Sequence, residues 1–354
     1  MSDSTTAVRQ RPLSLTMGWL IVALVAVVGL AYAKWFPYYH KAFVAYATRS
    51  VGSSILTGHA SQPPPVSFRS ALNYAVAYGQ AIWKALVVAL LLGSAVQTLL
   101  PRRWILSALG RSGLRSVFIA GVLAVPSMMC NCCAAPIVTG LREGRASAGS
   151  AVAYWLGNSV LNPATLIFTG FVLGWKWSAL RVVVGLLAVV GLGWLVNRLS
   201  VNWKESRTPR QLLHPNEDSA PSLRAWGAAL AQMAVRLIPE YAVVVLILGA
   251  ARAWLFPQLG HEVDNSLIWI LAFAISGAIF VVPTAGEIPI VQALLLLGVG
   301  TGPAAALLLT LPPISAPSVA MLWKSLGART LLLVILGIIA LGLVGGIAAA
   351  TLFS

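Results

Sequence analysis

Long uncharged apolar segments recur along the chain, and short polar stretches that contain most of the Lys and Arg residues separate them. A helix needs about 20 mostly apolar residues to cross a bilayer, because each residue advances it by about 1.5 Å. Segments near that length predict seven membrane spans, at Trp19–Ala33, Leu72–Leu100, Ser150–Leu173, Leu180–Val196, Trp226–Phe256, Gly302–Leu322 and Leu331–Phe353. The pattern therefore predicts an all-α polytopic membrane protein.

Two further apolar segments, Val117–Leu141 and Leu267–Leu297, contain prolines near their centres. The prolines that we interpret as hairpin breakers are Pro126 and Pro136 in the first segment and Pro283 and Pro289 in the second. Non-helical backbone persists at membrane depth only where protein or a water-filled cavity surrounds it. We interpret both segments as re-entrant hairpins that meet inside the protein.

The two halves of the chain match each other in order. The matched groups are Leu92-Gly93-Ser94-Ala95 with Leu248-Gly249-Ala250-Ala251, Val125-Pro126-Ser127 with Val282-Pro283-Thr284, and Pro163-Ala164 with Pro317-Ser318. Internal repeats of this kind are typical of secondary transporters, which place their solute site where the repeats meet. The sequence predicts an internal duplication as inverted repeats, each with one proline-broken hairpin.

Composition agrees with a membrane protein, since 58% of the residues are hydrophobic and 9% are charged. A net charge of +15 would suggest nucleic acid in a soluble protein, but here the basic residues lie between apolar segments, so we expect no nucleic-acid partner. With re-entrant hairpins and a cytoplasmic N-terminus, 15 Lys and Arg residues lie inside and 7 outside. Because cytoplasmic loops are enriched in these residues, the charge distribution favours this topology.

Four regions follow from these observations. We predict an N-terminal anchor helix with an external loop at 1–70, a first transmembrane repeat with a Cys-rich hairpin at 71–200, a cytoplasmic linker at 201–224, and a second repeat at 225–354. Arg9 and Arg11 before a short apolar core that ends in Ala31-Tyr32-Ala33 also resemble a secretory signal peptide. We interpret the segment as an uncleaved anchor, and both alternatives leave the loop from Lys34 to Ser70 outside.

All three cysteines of the chain lie in one turn, Cys130-Asn131-Cys132-Cys133, inside the first broken segment. Thiols bind soft species, whereas magnesium and calcium prefer oxygen ligands. The spacing is too compressed for the paired arms of a structural zinc site, so we expect no cofactor. The metal-like ligand predicted for Cys130, Cys132 and Cys133 is a soft metalloid. Two alternatives stay open, namely packing of small side chains at a tight turn and redox chemistry of Cys132 with Cys133.

Two hairpins that meet near the midplane would place the cysteine turn opposite Thr284 and Glu287. The predicted substrate-binding residues are Cys130, Asn131, Cys132, Cys133, Asn158, Asn162, Thr284, Glu287 and Ser315. The alternative is that the amides and hydroxyls cap broken helices and satisfy freed carbonyls.

Glu287 is the acid of the second hairpin, and an ionised carboxylate inside a membrane is costly. We therefore predict that it is the proton-coupling residue. The alternative is a structural carboxylate held by the amides of a helix N-terminus.

The stretch from Val125 to Pro136, followed by Gly140-Leu141-Arg142 and later by Asn158 and Asn162, resembles the ArsP-type predicted permease family. Some members of that family export trivalent organoarsenicals. The resemblance covers roughly residues 75–350 and implies that Cys130 and Cys132 engage the substrate, with Cys133 as an additional thiol. The family more usually reads Cys-Ser-Cys, so Asn131 and the third cysteine are departures.

These inferences predict a permease of the bacterial inner membrane, and not an enzyme. It would export a small thiophilic solute, with trivalent organoarsenicals implied by the resemblance, and would draw on the proton gradient. Its expected partners are the solute and the lipid bilayer, and a homo-oligomer is left open. Two alternatives remain: a transporter of another small sulfur-containing or metal-related solute, and a membrane-embedded thiol oxidoreductase.

Overall fold

The computed structural model describes residues 14–52, 67–200, 222–255 and 263–353, and these residues form helices and turns with no strand. Arg9, Arg11, residues 53–66 of the predicted external loop and most of the predicted linker lie outside the described residues. The described part of the chain confirms the all-helical fold class.

The described helices are numbered in chain order. They are α1 (Leu15–Thr48), α2 (Phe68–Leu99), α3 (Arg102–Leu109), α4 (Leu114–Ala124), α5 (Asn131–Glu143), α6 (Ala148–Val160), α7 (Pro163–Val172), α8 (Trp175–Ser200), α9 (Leu223–Leu255), α10 (Leu267–Ile279), α11 (Glu287–Leu296), α12 (Thr301–Thr310), α13 (Ala316–Leu326) and α14 (Ala328–Leu352). Helix α1 contains a π-helical turn at Ala31–Trp35, and α8 contains one at Leu187–Leu192.

Among the described residues, five helices are long and apolar enough to cross a membrane, namely α1, α2, α8, α9 and α14. They confirm five of the predicted spans, although α1 is longer than expected. The predicted external loop from Lys34 is wrong over its first part, because α1 continues to Thr48. Pro37 does not end this helix.

Two other predicted spans, Ser150–Leu173 and Gly302–Leu322, are each broken into two shorter helices. The first divides at Leu161 and Asn162, and the second between Leu311 and Ser315. The residue before a proline is driven towards extended backbone, which Asn162 adopts with φ −62° and ψ 114°. Hydropathy alone hides such breaks because the residues on both sides are apolar.

The other two breaks fall within the predicted hairpins, after Pro126 and around Pro283. Pro136 and Pro289, however, do not break their helices, contrary to the expectation. Pro289 is the third residue of α11, where the backbone N–H would lack a helical partner in any case. Helix α5 continues through Pro136, and the missing N–H leaves the Cys132 carbonyl without its usual donor.

The same order of helices occurs twice. Residues 68–200, apart from the short α3, form a long helix, two helices around a break, two more around a second break and a final long helix. The described residues of 223–352 repeat this order. The duplication and its inverted orientation stay a prediction.

Close helix contacts hold the cysteine turn in place. Helix α2 packs against both α5 and α9. A Cβ atom at Gly93 of α2 would collide with the Pro136 carbonyl, and one at Gly140 of α5 would collide with the Gly93 carbonyl. Small residues let backbones approach closely inside a membrane, so these two glycines fix the position of α5.

Candidate functional site

Four helix breaks converge on one buried region, before α5, between α6 and α7, before α11, and between α12 and α13. The Asn131 side-chain amide donates a hydrogen bond of 2.8 Å to the Pro312 carbonyl oxygen, which joins the first break to the fourth. A small cavity of about 10 Å³ lies here, lined by residues that include Cys130, Ser159, Thr165, Thr284, Glu287 and Pro312. The structure thus brings the two predicted hairpins to the same cavity.

The three thiols divide into a pair and a single group. Cys130 occupies the N-cap position of α5, and its Sγ lies 3.0 Å from Sγ of Cys133. Residues three apart share a helix face, whereas Cys132 points elsewhere. Its Sγ lies 2.9 Å from Asn131 Oδ1, 3.5 Å from Ser315 Oγ and 3.9 Å from the Tyr78 hydroxyl. All three cysteines are buried and free.

This arrangement changes both thiol hypotheses. The resemblance implied that Cys130 acts with Cys132, and the redox alternative paired Cys132 with Cys133, but the close sulfurs are those of Cys130 and Cys133. The described residues contain no group of three His, Cys, Asp or Glu side chains suited to a metal ion. In this conformation the close pair of thiols is therefore that of Cys130 and Cys133.

Asn131 connects the elements around the dithiol. Its Oδ1 accepts a 2.8 Å hydrogen bond from the Ser315 hydroxyl, and its backbone carbonyl accepts one of 3.1 Å from Trp155 Nε1. Ser315 also begins α13 in a reciprocal cap with Ser318. Asn131 and Ser315 thus position the first break against the fourth, and neither residue lines the cavity.

Asn158 and Asn162 lie at the break between α6 and α7, and both are fully buried. Asn162 Oδ1 caps α7 by accepting from the Ala164 and Thr165 amides at 3.0 and 3.4 Å. Asn158 Nδ2 donates to the Tyr154 carbonyl oxygen at 2.7 Å. Asn158 Oδ1 and Asn162 Nδ2 have no hydrogen-bond partner among the described residues. Asn162 therefore caps α7, whereas Asn158 bonds back to the preceding turn of α6, and each keeps one buried polar atom without a partner among the described residues.

A buried ion pair occupies the second hairpin. Glu287 is the first residue of α11, and its Oε1 accepts a 2.7 Å hydrogen bond from Arg181 Nη1 of α8. The two side chains are 2% and 1% exposed. The guanidinium also donates to the carbonyl oxygens of Ser159 and Val160, at 2.9 and 3.3 Å. Arg181 therefore compensates the carboxylate and joins the second hairpin to the end of α6.

Thr284 contacts the N-terminal helix. Its hydroxyl accepts a 3.0 Å hydrogen bond from Nζ of Lys34, which lies in the π-helical turn of α1. Lys34 also donates to the Tyr38 hydroxyl at 3.1 Å and is 6% exposed. A segment that the sequence suggested to be only an anchor thus reaches the candidate site.

Sequence reasoning missed Arg181, Lys34 and Tyr78. Lys34 begins the predicted external loop and Arg181 lies at the edge of the predicted span Leu180–Val196, so the sequence predicts no site role for either cation. The signal that could have identified them is a single basic residue followed directly by more apolar sequence, as in Leu180-Arg181-Val182 and Ala33-Lys34-Trp35. Such a residue is expensive to bury and indicates a buried partner.

Buried thiols, an ion pair and broken helix ends gathered around a cavity between membrane-length helices define a class, the multi-pass membrane permeases and transporters. Comparison with known families agrees. Residues 13–160 and 67–350 match the model of the ArsP-type family, described as predicted permease. The chain belongs to this family.

Two individual relatives match different shares of the chain. The UPF0718 protein YraQ of Escherichia coli (strain K12) is 47% identical over 308 residues, which cover 87% of this chain and 88% of that protein. The UPF0718 protein MJ0584 of Methanocaldococcus jannaschii is 36% identical over 105 residues, which cover 29% of this chain and 28% of that protein. No solved structure matches the chain.

Proposed function

We propose that this protein is a permease of the bacterial inner membrane that exports a small thiophilic solute, with trivalent organoarsenicals as the first class to test. The observation that carries the proposal is the buried dithiol of Cys130 and Cys133 beside a cavity where four helix breaks meet. Family membership supports transport, and thiol chemistry supports a soft cargo. Another small sulfur-containing or metal-related solute is the alternative cargo for the same site.

The mechanism that we propose is alternating access between two halves related by an inverted repeat. The repeated order of helices and the position of the cavity between the two hairpins support it. The excess of basic residues on one side of the predicted topology supports a cytoplasmic N-terminus.

Glu287 is our candidate for proton coupling. Its pair with Arg181 gives protonation a structural consequence, because a neutral carboxyl group releases a guanidinium that also holds the end of α6. We therefore propose that proton binding to Glu287 loosens the contact between the second hairpin and α6 during the transport cycle.

The experiment is methylarsenite accumulation, measured as cellular arsenic, in arsenical-sensitive cells that express the protein. We expect lower accumulation with the wild type and no reduction with Cys130→Ser/Cys133→Ser at equal abundance in the membrane. Cys132→Ser is the matched control and should keep most of the export, because Cys132 is not part of the close pair. Accumulation that the wild type leaves unchanged at confirmed membrane expression would remove arsenicals from the proposal.

A second candidate function is a thiol oxidoreductase, which the 3.0 Å separation of the Cys130 and Cys133 sulfurs favours at the start of a helix. An oxidoreductase exchanges a disulfide with a substrate thiol without net solute flux. Flux of methylarsenite into everted membrane vesicles that persists in excess reductant would support transport, whereas thiol exchange without flux would support the enzyme.

A further inference from the structure

We infer that Lys34 makes the cavity beside Cys130 a site for an anion, which favours a thiophilic solute that carries a negative charge over uncharged methylarsenite. The inference rests on the proposed transport function and deepens it, because it specifies the charge of the cargo. It also assigns the N-terminal helix to the solute site.

Lys34 is a buried cation with neutral partners. Its ammonium group donates to the hydroxyls of Tyr38 and Thr284, and it lies 5.1 Å from the centre of the Tyr38 ring. An ammonium group has three N–H donors, and these contacts use two of them. The described residues supply no carboxylate partner to this amine. Burying an unpaired charge is costly, so packing alone does not explain a lysine at position 34.

The ammonium group is linked directly to the cavity. Thr284, which accepts its hydrogen bond, lines the cavity together with Cys130. The positive charge therefore acts where a solute would meet the dithiol.

Charge around the cavity is unbalanced towards positive. Glu287 is the acid that lines the cavity among the described residues, and Arg181 already compensates it. The N-terminus of α5 adds the partial positive charge of its free amide groups. An anionic solute would balance this excess, whereas a neutral solute would leave it uncompensated.

Backbone geometry supports a functional position for Lys34. The residue lies in the π-helical turn Ala31–Trp35, and such turns in otherwise regular helices occur often at functional sites. In the same turn, Trp35 Nε1 donates a 2.8 Å hydrogen bond to the Pro126 carbonyl oxygen. The turn is therefore attached to both hairpins, through Thr284 and Pro126.

The test compares two alkylating reagents of similar size, iodoacetate, which is an anion, and iodoacetamide, which is neutral. In each reaction the cysteine sulfur bonds to the reagent carbon and iodide leaves. Labelling of Cys130 and Cys133 is measured by mass spectrometry on the purified full-length protein. An anion site raises the iodoacetate to iodoacetamide rate ratio, whereas a lysine that only favours the thiolate form speeds both reagents equally.

We expect Lys34→Met to lower this ratio about tenfold, which corresponds to about 1.4 kcal/mol. Lys34→Arg should retain the wild-type ratio because it keeps the charge. The matched control is Lys84→Met, which removes an exposed lysine that packs over Tyr32 and should leave the ratio unchanged. Equal ratios in the wild type and Lys34→Met would overturn the inference, as would cysteines that neither reagent reaches.

The outcome is separable from that of the transport assay. If the iodoacetate to iodoacetamide ratio depends on Lys34 but the cells show no cysteine-dependent arsenical export, the anion site stands and arsenicals are removed as cargo. If arsenical export depends on the cysteines but the iodoacetate to iodoacetamide ratio does not depend on Lys34, the proposed function stands and the anion site is overturned.

Discussion

The helix breaks before α5 and before α11 use the same backbone device but carry different chemistry. Each has a non-glycine residue in the left-handed region, Met128 with φ 49° and Ala285 with φ 69°. The break before α5 leads into a dithiol and a network of neutral groups centred on Asn131. The break before α11 leads into the buried pair of Glu287 and Arg181. The two breaks thus share a backbone conformation, whereas their side chains give the two faces of the cavity different chemistry.

The difference has an energetic consequence. Neutral hydrogen bonds contribute about 0.5–1.5 kcal/mol each, whereas removing one member of a buried ion pair costs about 3–5 kcal/mol. The second hairpin should therefore be the more sensitive of the two to a single substitution, and the first hairpin should depend more on helix packing.

The largest expected effect is that of Arg181→Met, which leaves the Glu287 carboxylate buried without its partner. We expect the free energy of unfolding to fall by about 3–5 kcal/mol, measured by denaturant titration in detergent. The double variant Arg181→Met/Glu287→Gln should recover part of the loss, because it removes the unpaired charge. If Arg181→Met were as stable as the wild type, the second hairpin would not be the more sensitive of the two to a single substitution.

The next effect is that of Gly93→Ala, which places a methyl group against the Pro136 carbonyl and separates α2 from α5. Overpacking of this kind costs about 1–3 kcal/mol, and we expect a value in the upper part of that range because backbone must move. The control is Gly79→Ala in the same helix, where a Cβ meets no atom within 4 Å. That change should be neutral or slightly stabilising. Equal effects at both positions would contradict the packing argument.

The smallest effect is that of Asn131→Ala, which removes three side-chain contacts at the first break. We expect a loss of about 1–2 kcal/mol in stability together with faster alkylation of Cys132, whose thiol donates to Asn131 Oδ1. The matched control is Asn197→Ala, which removes the acceptor of a 2.8 Å bond from the Gly149 amide away from the cavity. It should lower stability without changing cysteine reactivity. Similar Cys132 reactivity in both variants would contradict the role of Asn131.

Sequence reasoning found the elements whose signals are local. The spans at α2, α8, α9 and α14, the break at Pro126 and the break at Pro283 are all present in the structure. The breaks at Asn162 and Ser315 also had local signals, in the prolines that follow, but the hydropathy of their surroundings favoured continuous spans. The predicted site residues Cys130, Thr284 and Glu287 line one cavity, whereas Arg181 and Lys34 entered the site only through the structure.

The sequence by itself determined that this is an all-helical membrane protein with three thiols at a proline-marked break. Hydropathy and proline act on the backbone of their own segment, so their effect does not depend on distant residues. Only the tertiary structure decided that Cys130 pairs with Cys133, that Arg181 compensates Glu287, and that Lys34 reaches Thr284. The last two contacts join residues 106 and 250 positions apart, and even the first depends on where α5 begins. Such contacts follow from how the helices pack, which no single segment encodes.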